Sequence, residues 1–137
     1  MYRLIYKSKS LIEIDQQTVK DIIEHSQETN KKNKISGALL ATRTHYLQVI
    51  EGDFEAVNHT FLNIVTDPRH EKIQLISFGP VNKRLFEGWV MKGLGLFDLN
   101  LELEKRLKEK YGEEDRGIKF PIEEWSSLSL MHDIKLM

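Results

Sequence analysis

Hydrophobic and polar positions along the chain repeat at two different periods, and the switches between them mark out its elements. Residues 2–6, YRLIY, alternate β-preferring side chains and predict a strand ending near Ser8, apolar on both faces. Asp15 then stands where a helix cap belongs. Val19, Ile22, Ile23 and Ser26 recur at helical spacing behind it, and Ile14 and Val19 have the spacing of a hydrophobic staple. That helix is expected to run out near Asn30, leaving NKKNKISG, residues 30–37, as a polar loop. ALLATR and HYLQVIEG follow, joined by a turn at Thr44, and predict a hairpin. Asp53 is the next cap, and Val57, Phe61, Ile64 and Val65 form a second helical stripe that Asp67-Pro68 ends. IQLISFGPV, residues 73–81, predicts a strand ended by Gly79-Pro80, with a shorter strand around residues 89–91.

The predicted order is therefore β-α-β-β-α-β-β. Strands that follow helices imply right-handed crossovers, and the split βαβ arrangement that results is an α+β, ferredoxin-like sandwich with both helices on one sheet face. Past Phe97 the pattern changes. LNLELEKRLKEKYG sets Leu99, Leu103, Leu107 and Tyr111 on one helical stripe, with Gly112 as its stop. A charged loop, EEDRGIK, leads to Pro121 and a further helix expected to pack Ile122, Trp125 and Leu128. Because the strands are apolar on both sides, this tail is expected to cover the sheet face that the first two helices leave bare, or else to form a dimer interface. The division expected is a core over residues 1–97 and a helical extension over 98–137 of the same domain, the extension being an output or oligomerisation element.

Composition narrows the classes of function. With 137 residues, 40% hydrophobic and 30% charged, the chain can bury about two-thirds of its unfolded surface in one core. It has no cysteine, which excludes disulfides, thiolate metal sites and cysteine nucleophiles and makes a reducing cytoplasm the expected location. No run is long and apolar enough for a signal peptide or a membrane span. A net charge of -1 gives no electrostatic reason to bind nucleic acid or an acidic membrane. The five histidines, His25, His45, His59, His70 and His132, have no metal-ligand spacing, and there is neither a G-x-S-x-G elbow nor a glycine-rich phosphate loop.

One polar residue stands out. Gln48 lies among Tyr46, Leu47, Val49 and Ile50 in a run that otherwise reads as a buried strand. Alternation puts Tyr2, Leu4, Tyr6 and Ser8 on one face of the first strand and Tyr46, Gln48 and Ile50 on one face of the third, so Tyr6 and Gln48 can meet. On residue chemistry alone, a structural hydrogen bond between a buried phenol and a buried amide is the plain reading.

Taken together, YRLIYKS, NKKNKISGALL, YLQVIEG, DPRHEKIQLI and FEGWVM resemble, in order over residues 1–97, the BLUF family of blue-light sensors that use flavin. The resemblance implies FAD as the cofactor, with FMN or riboflavin able to substitute, its ring held between the two helices against the sheet. It implies Tyr6 as electron donor, Gln48 as the switching amide, and Trp89 and Met91 as the strand that relays the signal. Flavin-binding residues by the same resemblance are Tyr6, Ser8, Asn30, Ile35, Gln48, Asn63, Asp67, Arg69 and His70, with Asn30 on the polar ring edge and Arg69 on a ring carbonyl. Asn63 stands where some members carry a basic residue, Thr29 where an amide or imidazole is common, and Ser36 where a threonine is usual. The family reading makes the chain a sensor and not an enzyme. Its expected partners are flavin, a second copy of itself and a downstream signalling protein, with no nucleic acid and no membrane. The alternative is a ferredoxin-like protein-interaction module that has lost its flavin and its photoactivity.

Overall fold

The computed structural model describes residues 1–88 and 90–136. β1 (Tyr2–Ser10) is followed by α1 (Gln16–Lys32), the hairpin of β2 (Ser36–Ala41) and β3 (His45–Gly52), α2 (Phe54–Val65), β4 (His70–Pro80) and β5 (Met91–Gly95). The sheet order is β4-β1-β3-β2-β5, with β2 and β5 parallel and every other neighbouring pair antiparallel. Each helical crossover skips one strand, which is the split arrangement expected for a ferredoxin-like fold.

Local chemistry sets the helix ends. The Asp15 carboxylate accepts from the Thr18 backbone N–H at 2.8 Å, and the Thr18 hydroxyl accepts from the Asp15 N–H, closing a capping box. Ile14 and Val19 are buried in one cluster beside it, as a staple requires. Asp53 occupies the cap position of α2 but makes no side-chain capping bond. Several boundaries differ from the sequence reading: β1 runs to Ser10 and not only to Ser8, and β2 begins at Ser36, inside the stretch expected to be a loop. α1 continues past Asn30 to Lys32, because Lys31 and Lys32 suit a helix C-terminus; Asn30 is thus on a helix and not in a loop. β4 begins at His70 and not Ile73, because His70 and Glu71 still pair with Ser10 and Lys9 of β1 across a bulge. β5 begins at Met91, later than expected.

Strand alternation divides the core between two faces. Leu4, Tyr6, Leu39, Tyr46, Ile50 and Met91 pack on the α1 and α2 side, whereas Ile5, Ala38, Leu40, Leu47 and Val49 pack on the other. The second face is covered by the tail: α3 (Leu101–Tyr111), a short hairpin of β6 (Glu113–Glu114) and β7 (Gly117–Ile118), and α4 (Glu124–Asp133) contribute Leu107, Ile118, Leu130 and Met131, with Phe120 between them. The C-terminal helices thus pack on the other sheet face. The charged stretch EEDRGIK is that hairpin, turned by Asp115 and Arg116 in the left-handed region, and not a loop. The expected packing of the last helix holds for Leu128, which packs against the core, and is corrected for the other two residues. Ile122 and Trp125 are 62% and 72% exposed, while Ser127, Leu130 and Met131 face inward. Ser127 is fully buried with its hydroxyl donating to the Glu123 carbonyl at 2.8 Å, and the tryptophan is left outside.

Candidate functional site

Tyr6 and Gln48 are direct partners across the β1–β3 ladder. Both are buried on the helix-bearing face, and the Tyr6 hydroxyl donates to Gln48 Oε1 at 2.5 Å. The other end of the same amide points to β5: Gln48 Nε2 donates to Met91 Sδ at 3.6 Å. A single amide therefore links side chains of three strands, accepting from a phenol and donating to a thioether. Gly37 makes that closeness possible. A Cβ there would lie 1.8 Å from the Val49 carbonyl oxygen and 3.2 Å from the Met91 methyl.

The surroundings of Tyr6 are apolar. The Phe61 ring from α2 lies 5.5 Å away, centroid to centroid, and Tyr46 and Leu39 belong to the same buried cluster. Burial pushes the Tyr6 phenol far above its ordinary pKa, with Tyr46 and Asp67 adding to the rise. It is a neutral hydrogen-bond donor at any physiological pH.

Asn30 and Ile35 occupy the end of α1 and the approach to β2. Asn30 is buried and its backbone carbonyl accepts from the Ile35 N–H at 2.8 Å, but its side-chain amide has no hydrogen-bond partner among the described residues. Since no fully enclosed polar side-chain atom among the described residues lacks a partner, that amide must reach the surface from within the helix-side layer. α1 packs over β2 and β5, and α2 over β1 and β3, so the sheet surface between them carries Tyr6, Gln48 and Tyr46. Apolar helix residues Ile22, Ile23, Phe61 and Ile64 stand half-buried around it. These residues fit a flat heteroaromatic ring: apolar groups for its faces and the amides of Asn30 and Gln48 for its polar edge.

The remaining expected residues gather at the far end of α2. Ser8 Oγ and His70 Nδ1 are 2.8 Å apart, and His70 Nε2 donates to the Ile64 carbonyl at 2.7 Å, so both ring nitrogens are engaged in joining β1, β4 and the end of α2. Asp67 accepts from Arg69 in a two-pronged pair at 2.6 and 3.0 Å, and that guanidinium holds the Asp67 carboxyl down at about 2. The Arg69 side chain itself is 71% exposed. Asn63 is exposed on α2 and lies 3.2 Å from His59 one turn earlier. The structure thus brings Tyr6, Gln48 and Met91 together, sets Asn30 and Ile35 at the edge of the same layer, and engages Ser8, Asp67, Arg69, His70 and Asn63 with other groups of the protein. Trp89, the other expected relay residue, lies outside the described residues. Phe61 and Gly37 belong to the site although sequence reasoning does not assign them to it. The helical stripe flags Phe61 as inward-facing, while nothing in the sequence signals the contact that Gly37 permits.

Two surface hollows lie away from this site, one along α3 and one of about 600 Å³ between the β1–α1 loop, the β2–β3 turn and the tail hairpin. No helix among the described residues is long and apolar enough to cross a membrane.

Comparison with known proteins accords with this geometry. Residues 1–92 match the model of a family described as "BLUF: Sensors of blue-light using FAD". The photoactivated adenylate cyclase subunit beta of Euglena gracilis is 34% identical over 92 residues, covering 66% of this chain and 11% of that protein. The blue light- and temperature-regulated antirepressor BluF of Escherichia coli K12 is 28% identical over 100 residues, covering 72% of this chain and 24% of the other. The chain therefore spans about a tenth to a quarter of the length of these relatives. Among solved structures, the dark state of BlrB, a BLUF protein, superposes with a TM-score of 0.75 at 25% identity, covering 97% of this chain and 93% of that one. The photo-activated state of BlsA matches in fold with a TM-score of 0.76 at 22% identity, covering 99% and 94%. With a family model matched over residues 1–92 and a phenol, an amide and a thioether in line beneath its two helices, the chain belongs to the BLUF family of FAD-using blue-light sensors.

Proposed function

We propose that this chain is a blue-light sensor in which Tyr6 and Gln48 form the switch and Met91 carries its state to the tail. The observation that supports this most is the continuous line Tyr6 Oη, Gln48 Oε1, Gln48 Nε2, Met91 Sδ. Tyr6, Gln48 and the amide of Asn30 would hold the flavin, which when bound supplies a chromophore that blue light turns into a strong one-electron oxidant.

The chain's own residues do the rest. Tyr6 is buried and neutral, so it can give up an electron but holds no anionic charge beforehand. A phenol that loses an electron becomes strongly acidic, and its proton has an acceptor already in contact, Gln48 Oε1. An amide carries an acceptor oxygen and a donor nitrogen on one rotatable, tautomerisable group, so it can take the proton and settle with its bonds exchanged when the electron and proton return to Tyr6. A carboxylate or an aliphatic side chain at position 48 could not do both. The rearranged amide presents a different group to Met91, at the start of β5, whose residue Leu94 packs on the opposite face among tail residues. The tail is then the output surface, read by a partner protein or a second copy of the chain.

The test is the visible spectrum of the purified protein. A flavin spectrum that moves to longer wavelength after seconds of blue light and returns in darkness supports the reading. A yellow protein with no such shift, or a colourless one after reconstitution with FAD, overturns it, the latter in favour of an interaction module.

A further inference from the structure

Glu51, next to last in β3, is fully buried on the tail-facing side of the sheet. Arg3 Nε donates to its Oε2 at 2.9 Å, and the backbone N–H groups of Leu85 and Phe86 donate to its Oε1, each at 3.0 Å. Arg84 completes the arrangement from the same segment. Its Nη1 donates to Ser36 Oγ at 2.7 Å and to the Glu51 carbonyl at 3.1 Å, and its Nη2 to the Lys34 carbonyl at 2.7 Å. Residues 84–86 are therefore fastened to β1, to the start of β2 and to the end of β3 at once. The Phe86 side chain is buried below them, in the cluster that contains Leu107 and Leu130 of the tail.

A buried carboxylate is costly unless every lone pair is used, and an apolar residue would serve packing better. Its role must lie in what it holds in place. From Phe86 the chain has only residues 87–90 in which to reach Met91, and the Gly37 N–H then donates to the Val90 carbonyl at 3.1 Å as β5 joins β2. β5 is short and lies at the sheet's edge, so its own ladder does little to fix register. A slip of one residue would turn Met91 away from Gln48 and bring a neighbour into its place.

We infer that Glu51 and Arg84 are positioning residues that, by locking residues 84–86, set the register of β5 on β2 and so keep Met91 against the Gln48 amide. The inference rests on the proposed photosensor only for its bearing on signalling; the register claim stands by itself. It joins the light site to the tail through one segment, because the same Glu51 that fixes the approach to Met91 also seats Phe86 among the tail residues.

The test is amide hydrogen exchange and the Met91 ε-methyl resonance, recorded by NMR in the dark on the full chain as purified, for Glu51→Gln and Arg84→Gln. The amide introduced by Glu51→Gln turns a donor toward donors, while Arg84 is half-buried and its replacement leaves no carboxylate stripped of all partners, so the second variant remains readable if the first does not fold. The expected result is exchange at Gly37 faster by about tenfold, with amides of the β1–β3 ladder within about twofold of the parent, and a displaced Met91 methyl signal. Unchanged Gly37 exchange and an unmoved methyl in both variants, or acceleration of the whole sheet together, would overturn it. Neither readout needs light or colour, so a chain without flavin would defeat the photosensor reading and leave this result to be judged separately.

Discussion

The Tyr6 hydroxyl and the Gln48 side-chain oxygen are 2.5 Å apart across two paired strands, and the nitrogen of that same amide lies on Met91. The pair is a structural hydrogen bond, and in the proposed switch it is also the proton path. Its two members can be separated by mutation.

Tyr6→Phe keeps the ring and its packing on Phe61 but removes the donated proton and raises the cost of losing an electron. Flavin should bind as before while the red-shifted state fails to form, and an ordinary photocycle in this variant would refute the donor role. Gln48→Leu should also be photoinactive, with the dark flavin spectrum slightly displaced because one amide contact is gone. It should further cost about 1–3 kcal/mol in urea unfolding, because the buried Tyr6 hydroxyl loses its acceptor. A full, reversible shift in Gln48→Leu would end its assignment as the switch.

Asn30 is a buried residue whose side-chain amide no described residue engages. If it serves the polar edge of the ring, Asn30→Ala should weaken flavin binding by about tenfold, the worth of one or two hydrogen bonds. Titration followed by flavin fluorescence measures this directly. An unchanged Kd would remove Asn30 from the site.

The Asp67–Arg69 pair gives a pH dependence of definite sign. The Asp67 carboxyl is lowered to about 2 in the folded chain, from an ordinary value near 3.8. A depressed folded-state value means that the pair stabilises the fold above the ordinary value and that this stability is lost as pH falls toward 2. Solvent screening at this partly exposed position limits the effect to about 1 kcal/mol. Urea midpoints measured between pH 6 and pH 2 should therefore fall more steeply for the parent than for Arg69→Ala, and parallel profiles would contradict the assignment.

Lys7, beside Tyr6 but on the opposite face, ties the sheet to the tail. Its ammonium is buried and donates to Glu114 Oε1 and to the Phe120 carbonyl, both at 3.1 Å. Burial works to raise the Glu114 carboxyl, yet the bond from Lys7 holds it below its ordinary value. Lys7→Met should loosen the β6–β7 hairpin, seen as faster amide exchange over residues 113–118 with little change in the sheet. A double-mutant cycle with Glu114→Gln should give a coupling of about 1 kcal/mol. Zero coupling would mean that the Lys7–Glu114 pair does not hold the hairpin, leaving it to Ile118 and to contacts such as Lys9–Asp115.

Much of this is legible in the sequence because the signals are local. The Asp15 cap, the two helical stripes and the alternation that pairs Tyr6 with Gln48 each depend on short-range patterns, and they hold in the structure except that Val65, at the end of the second stripe, is exposed. What is not legible depends on contacts between distant segments. The hairpin in EEDRGIK has charged residues and no Asn-Gly turn, and its place is fixed by Lys7 more than a hundred positions away. Trp125 is large and apolar and so reads as inward-facing, but α4 presents Ser127, Leu130 and Met131 to the core instead. Family resemblance supplies roles for Ser8 and His70, whereas their bond to each other and the reach of His70 to Ile64 are visible only in three dimensions.

In the proposed switch, light rearranges the hydrogen bonds of one amide. The most direct measurement is the ¹⁵N-edited NMR signal of the Gln48 side-chain amide, recorded in darkness, under blue light and during recovery, with the absorption spectrum followed in parallel. The Gln48 resonances should move on illumination and return with the same time course as the absorption shift. A red-shifted spectrum that forms and decays while the Gln48 amide signal stays in place would contradict the proposed switch.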